Sequence, residues 1–430
     1  FTLNKTENAS AYDNYLKGKT IIDLSKKPED FKKSEKLLKN AIELDPNFIE
    51  PYAYLGTLYK WMYQFEEAED ILEEGQEIAK DTHNNPGLAA IYMHFGLMYH
   101  HWGKFEKSLI YLEKSLEIQS DLHDKFEEAK ISQSIGNFYS HKTPKQDMEK
   151  AKKYLDNSIK IYEELEEDYA IANAYATFSV FYKNMNKFSE SSKYAIDALA
   201  KYRSLSMTFN EYRIICVLAD TFMKLGLYDL AEKYIKDTQM IVEDFDDYYI
   251  MGRLCYISSQ VNLSKNEFDE AIEDLEESIE NYQLAEKNER ILSSSLELVQ
   301  IYFNQNNMKK VKRYLKKIKR LVRKQKNTNH ELEYKIFEEY LSIKENDSNI
   351  DKLDDLFNQL DENISLEKGY ETWWHLACCY HEIGEDKKAK SIASKCLKII
   401  QDIAKEISNP DHQKSFLQSN LLHKQIIKYC

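Results

Sequence analysis

Apolar and small residues recur along the chain at offsets of three and four, the spacing that puts side chains on one face of an α-helix. The segments "PYAYLGTLYKWMYQFEEAEDIL", "IYMHFGLMYHHWGKFEKSLIYL" and "ISQSIGNFYSHK" share a small residue followed three positions later by tyrosine. These pairs are Gly56/Tyr59, Gly96/Tyr99 and Gly136/Tyr139. The frame continues as Ser179/Tyr182, Ala219/Phe222, Ser259 without its aromatic, Val299/Tyr302 and Ala377/Tyr380. Twelve positions after most markers stands another short residue: Ala68, Ser108, Ser191, Ala231, Ala271, Val311 or Ala389. Ala151 comes three positions late, after a turn lengthened by residues 142–147. Successive markers are 40, 40, 43, 40, 40 and 40 residues apart, and the 78 residues from Val299 to Ala377 fit two units, with a degenerate marker between them around Glu339. A period kept over this length predicts a stack of structural repeats.

Each unit is expected to be two antiparallel helices. The first brings Gly or Ala to a close helix–helix approach, with an aromatic one turn later. The second carries a small residue, then an apolar one four later, as in Ala68/Leu72 and Ala231/Ile235. Short polar turns such as Gly103-Lys104-Phe105 and Asn186-Lys187-Phe188 join them. Proline occurs only at 28, 46, 51, 86, 144 and 410, each at an inferred helix end. Ten units follow, roughly 9–46, 47–84, 85–124, 125–166, 167–206, 207–246, 247–286, 287–328, 329–364 and 365–407. The first carries an insertion around Lys26 to Asp30, and a capping helix is expected over 411–430. The whole is expected to be one all-α, right-handed superhelical solenoid without an internal boundary.

These residues carry a resemblance. "AIELDPNFIEPYAYLGTLYKWMYQFEEAEDIL" resembles a tetratricopeptide repeat, with Ala41, Pro46, Leu55, Gly56, Tyr59 and Ala68 at the signature places. The forty-residue period is similar to that of a subgroup found in many bacterial signalling proteins. "NASAYDNYLKGKTIIDLSKKPEDFKKSEKLLKNAIELDPNF" resembles the first repeat of proteins that join such an array to an upstream cyclase, kinase, ATPase or DNA-binding module. "ISNPDHQKSFLQSNLLHKQII" resembles their closing helix. With Phe1 rather than Met at the start, the resemblance implies the C-terminal array of a larger regulator.

Composition narrows the chemistry. Eleven glycines and six prolines in 430 residues are about 4% together, against roughly 12% in average usage, which excludes a β-sandwich or a glycine-dependent nucleotide fold. The formal charge of −14 argues against nonspecific nucleic-acid binding by the whole chain. Six cysteines (216, 255, 378, 379, 396 and 430) have no metal or redox spacing and read as reduced, small hydrophobes in a cytoplasmic protein. No apolar run is long enough to span a membrane. No phosphate-loop, dinucleotide, nucleophile-elbow or zinc-protease motif occurs, so neither enzyme activity, cofactor nor metal is expected. The cluster His94, His100 and His101, with His141 in the next unit, lacks a second cluster to complete a zinc site.

Two surfaces remain. The concave face lined by first helices is the expected partner site, for a protein or an extended peptide. Asn137, Gln260 and Gln300 would hydrogen-bond a peptide backbone through their amides. Lys60, His100, Lys183, Arg213, Lys224 and Arg253 would flank them. Groove asparagines and cations are what the tetratricopeptide resemblance implies; the alternative is that they are simply solvated. The second surface is "KKVKRYLKKIKRLVRKQK", with eleven Lys or Arg and no acid between Lys309 and Lys326. Val311, Tyr314, Leu315, Ile318 and Val322 form its buried stripe, exposing Lys309, Lys310, Arg313, Lys316, Lys317 and Arg320. The equivalent helices of units seven and nine are acidic, so these cations serve either an acid–base–acid stack or an acidic partner, with nucleic acid a third reading. A peptide-binding regulatory module is the expectation; a constitutive scaffold and an intracellular defence sensor are the alternatives.

Overall fold

The structure is a computed structural model. It describes residues 6–24, 28–140, 147–245, 247–325, 328–347, 349–364 and 366–430; the lengthened turn after His141 and part of the insertion near Lys26 lie outside them. The described residues are helical throughout, without strands. In chain order the helices are α1 (Ala9–Leu24), α2 (Pro28–Leu44), α3 (Ile49–Trp61), α4 (Phe65–Asp81), α5 (Asn85–His101), α6 (Phe105–Asp121), α7 (Lys125–Ser140) and α8 (Met148–Glu164). Next come α9 (Asp168–Asn184), α10 (Phe188–Ser204), α11 (Thr208–Lys224), α12 (Tyr228–Phe245), α13 (Tyr248–Lys265), α14 (Phe268–Leu284) and α15 (Asn288–Asn304). The rest are α16 (Met308–Gln325), α17 (Thr328–Lys344), α18 (Ile350–Asn363), α19 (Leu366–Glu382), α20 (Asp386–Lys405), α21 (Pro410–Gln418) and α22 (Leu421–Tyr429). They form ten helix pairs and two short terminal helices. The chain divides into two compact units, Phe1–Asn184 with Asp197–Glu211, and Met185–Ile196 with Tyr212–Cys430.

The repeated small residue sets the geometry of each pair. A Cβ at Gly56 would lie 2.6 Å from Leu72 Cγ, at Gly96 2.6 Å from Leu112 Cγ, and at Gly136 2.7 Å from Leu155 Cγ. The glycine of the first helix therefore receives the leucine four residues past the short residue of the second. Where that short residue is Ser108, its hydroxyl donates to the Gly96 carbonyl at 2.7 Å. The tyrosine one turn later joins units: Tyr59 donates to Glu35, Tyr99 to Glu69 and Tyr380 to Asp354, each on the second helix of the preceding unit. Successive first helices also touch, as α3 with α5 and α17 with α19, so they line the inner side of each unit.

Most turns repeat one backbone solution. Tyr63, Gly103, Asn186, Gly226, Asn266, Asn306, Asn346 and Gly384 all have positive φ just after a first helix; His83, His123, Glu166, Ser206 and Glu286 have it after a second. The Gly226 N–H donates to the Met223 carbonyl and the Leu227 N–H to that of Phe222, the paired bonds of a left-handed helix stop. Non-glycine residues hold this conformation at a cost of about 1–2 kcal/mol each, outweighed by packing on both sides.

The ninth unit keeps the helix pair although its signature is lost. Glu339 stands at the small-residue position, buried, with one carboxylate oxygen 3.6 Å from Lys352 Nζ of the paired helix. The C terminus departs from the single cap expected over 411–430. It is two helices, because Asn420 accepts a hydrogen bond from the His423 N–H and starts a new one. Nor does it only cover the last repeat. Trp374 meets Tyr429 of α22, while Trp373 turns toward Phe357 of α18. Helix α21 reaches the second unit's opposite end: Phe416 packs on Phe188 and Ser415 Oγ donates to the Gly226 carbonyl at 2.8 Å, while Glu406, just after α20, lies 3.7 Å from Lys187. The second unit is thus closed on itself by its terminal helices.

Gly96→Ala is expected to destabilise the chain by about 1–3 kcal/mol through overpacking against Leu112, read as a lower melting temperature. Pairing it with Leu112→Ala should cost less than the sum of the two single changes. Strict additivity would show that this contact does not set the spacing.

Candidate functional site

The expected concave residues fall in both units. In the first, Lys60 is buried at 7% exposure rather than open to the groove, with its ammonium 4.8 Å from the Trp61 ring. His94 Nδ1 shares a 2.7 Å hydrogen bond with Thr57 Oγ1, and burial lowers its pKa to about 3, helped by Lys60 and Lys130. His100 packs edge-on between Phe105 and Phe138, and His101 against Trp61. These rings belong to packing. Asn137 is exposed on α7, and Lys183 is half-buried on α9.

In the second unit the arginines are absorbed by ion pairs between α11 and α13. Arg213 Nη1 lies 3.0 Å from Asp247, which also accepts from Tyr212 and from the Ile250 N–H as the cap of α13. Arg253 Nη2 lies 2.9 Å from Asp220, both side chains largely enclosed. Gln300 donates to Asn304 one turn along its own helix. Sequence reasoning placed these residues on the correct helices but could not see their partners.

Lys224 and Gln260 are different. Lys224 Nζ lies 3.6 Å from a Glu371 carboxylate oxygen, a pairing of α11 with α19 that brings opposite ends of this unit together. Glu371, then its neighbours, holds the Lys224 pKa well above its ordinary value. Gln260 stands beside Glu297 and opposes the rise in its pKa, which burial drives. Glu333 is pushed up to about 8 by burial, then by Glu371 and Glu297. His375 Nδ1 lies 3.9 Å from Glu333, and burial lowers this imidazole to about 4. Tyr370 shares a 3.1 Å hydrogen bond with His423 of α22, whose other ring nitrogen bonds the Phe416 carbonyl.

Helices α11, α13, α15, α17 and α19 therefore each send a polar side chain to one inner region, closed by α22. The region is wet: the Lys224 and Glu371 side chains are 43% and 53% exposed. Its balance is one lysine to three carboxylates. Lys224 and Gln260 were expected from the sequence, whereas Glu297, two residues before the marker Val299, and Glu333 and Glu371, each six residues before Glu339 and Ala377, were not. In a chain this acidic no single glutamate stands out. Beside the seam between α12 and the terminal helices lies a cavity of about 430 Å³ whose lining includes Gly226, Ser264, Lys265, Ser415 and Lys424.

The remaining candidates behave differently from the acid–base–acid expectation. The buried stripe of α16 is as predicted, and its cations are exposed. Among the described residues, however, its ion pairs go to α17 and the residue just past it, from Lys319 to Glu338 and Lys312 to Glu345. Toward α14 it offers a hydrogen bond from Tyr314 to Glu276. Among the described residues, no helix is long and apolar enough to cross a membrane. The cysteines are all free, four of them buried.

The tetratricopeptide-repeat family matches residues 49–121, covering α3 to α6, and residues 370–403, in α19 and α20. Both stretches are tetratricopeptide repeats. No curated protein matches the sequence of the chain. Its fold is similar to that of a Rap protein complexed with competence and sporulation factor, at 12% identity and a TM-score of 0.63, over 83% of this chain and 99% of that one. It is also similar to the Rap conjugation gene regulator of plasmid pLS20, solved with the Phr peptide, at 12% identity and a TM-score of 0.56, over 84% and 96%. A signal transduction ATPase with numerous domains from Pyrococcus horikoshii, which has a tetratricopeptide repeat sensor, gives 15% identity and a TM-score of 0.52, over 95% of this repeat protein and 55% of that chain.

Between pH 4.5 and about 8 the folded state holds a proton on Glu333 that the unfolded state has released. Stability from this group is thus complete below pH 4.5 and is lost as pH rises toward 8. Glu333→Gln removes the effect, so its melting temperature should rise relative to the parent between pH 5 and pH 9. Parallel curves across that range would place Glu333 outside the cluster.

Proposed function

We propose that this repeat protein is a peptide-binding regulatory module whose ligand lies along the inner faces of the first helices. The observation that carries the reading is the convergence of Lys224, Gln260, Glu297, Glu333, Glu371 and His375 from five first helices on one wet, enclosed surface. Packing alone does not require charged groups there. The glutamine amide offers both a donor and an acceptor to a peptide backbone. Three carboxylates suit a ligand with a basic side chain or a free amino terminus, and Lys224 suits a carboxylate on the same ligand. The fold shared with Rap structures, whose names record a bound factor or peptide, is consistent with this use. No cofactor enters the reading.

Regulation follows if the ligand binds one curvature of the second unit better than another. The Ser415–Gly226 and Phe416–Phe188 contacts close that unit, so a ligand bridging α11 and α19 acts across the same seam. The partner is a protein or an extended peptide.

Selection from a random peptide display library on the purified chain should enrich sequences with Lys, Arg or a free amino terminus. Titration calorimetry of a selected peptide should show about tenfold weaker binding to Glu333→Gln/Glu371→Gln at unchanged helicity. For a selected peptide that is acetylated at its amino terminus and binds through Lys or Arg, affinity for the parent should increase from pH 6 to pH 9 as Glu333 ionises, facing Glu297, Glu371 and His375. No enrichment, or equal binding by the variant, would remove this inner surface as the site.

A further inference from the structure

Lys309, Arg313, Lys316 and Arg320 stand at spacings of four, three and four along α16, a stripe on one face roughly 16 Å long. All four are exposed, and among the described residues none makes an ion pair. Val311, Tyr314, Leu315 and Ile318 are buried beneath them, so the helix cannot roll to hide the stripe. Lys310 and Lys317 flank it, their ammonium groups 4.6 and 5.7 Å from the Tyr302 and Tyr314 rings. Unpaired cations held at helical spacing on a fixed face offer a site for an opposite charge.

We propose that this stripe docks a narrow acidic segment of a partner protein, an acidic helix or extended peptide. Charge selects an anionic partner, and the neighbouring surface selects a narrow one. The preceding second helix, α14, exposes Glu273, Glu276, Glu277 and Glu280, and the Tyr314–Glu276 hydrogen bond places this acidic surface directly beside the basic one. The following second helix, α18, exposes Asp351, Asp355, Asp361 and Glu362. A broad polyanion such as a nucleic-acid duplex or an anionic membrane would meet those carboxylates as well as the stripe. A single acidic segment lying along α16 meets the cations and avoids the flanks. Such contacts favour rapid, salt-sensitive association.

The test uses the full chain and a fluorescein-labelled synthetic peptide with the sequence Phe268–Leu284 as an acidic helical probe, followed by anisotropy. Binding is expected at 50 mM salt, weakening at least tenfold by 300 mM. Lys316→Glu/Arg320→Glu should weaken it at least tenfold, with melting within about 2 °C of the parent. If charge reversal melts the chain, Lys316→Gln/Arg320→Gln decides, with the same expected loss of binding at unchanged melting. Absence of binding, equal binding by the variants, or destabilisation by the neutral pair would overturn the proposal. So would equal or tighter binding of a DNA duplex or of phosphatidylserine vesicles.

Discussion

The structure depends on one close contact, repeated: the small residue of a first helix receiving the leucine of its partner. At Gly56, Gly96 and Gly136 even a methyl group would collide with that leucine. The two helices approach to the limit set by their backbones, and this fixes where the next unit can stack. The tyrosine one turn later then finds a carboxylate on the previous unit, as Tyr59 does with Glu35 and Tyr380 with Asp354. Spacing within a pair and attachment between pairs therefore arise from residues three positions apart. A substitution at one marker is felt in the stacking of its neighbours, because a repeat cannot bury its apolar face alone.

Closure of the second unit adds a constraint that a run of repeats does not possess. A linear stack transmits strain only from neighbour to neighbour. Here α21 ties Gly226 and Phe188 to the end of the chain, and α11 meets α19 through Lys224 and Glu371. The enclosed inner surface this produces raises carboxyl pKa values: burial removes water from Glu333 while Glu297 and Glu371 oppose its ionisation. An exposed glutamate on a straight stack would show neither effect. The inner and outer surfaces are thus chemically distinct, one a coupled set of enclosed groups, the other a stripe of solvated cations on α16.

Much of this architecture was legible in the chain. The forty-residue period located ten helix pairs, and the apolar stripe Val311, Tyr314, Leu315, Ile318 and Val322 told which face of α16 is buried. Residues in local relation, three, four or twelve positions apart, reveal their contacts because helix geometry fixes them. The ninth unit was obscure for the opposite reason, since Glu339 holds the place of a glycine or alanine by pairing with Lys352. The enclosed inner surface was only half visible. Lys224 and Gln260 stand on first helices, but so do Arg213 and Arg253, which are paired with Asp247 and Asp220.

The sequence by itself determined the helices, their pairing and the exposed basic stripe, all consequences of short-range periodicity. Only the tertiary structure decided which charges pair with one another, and that the terminal helices fold back on α10 to α12 instead of simply capping the last repeat. Those outcomes rest on contacts such as Ser415 with Gly226, 189 residues apart. No period connects such positions, and the sum of many small repeat-to-repeat rotations brings them together.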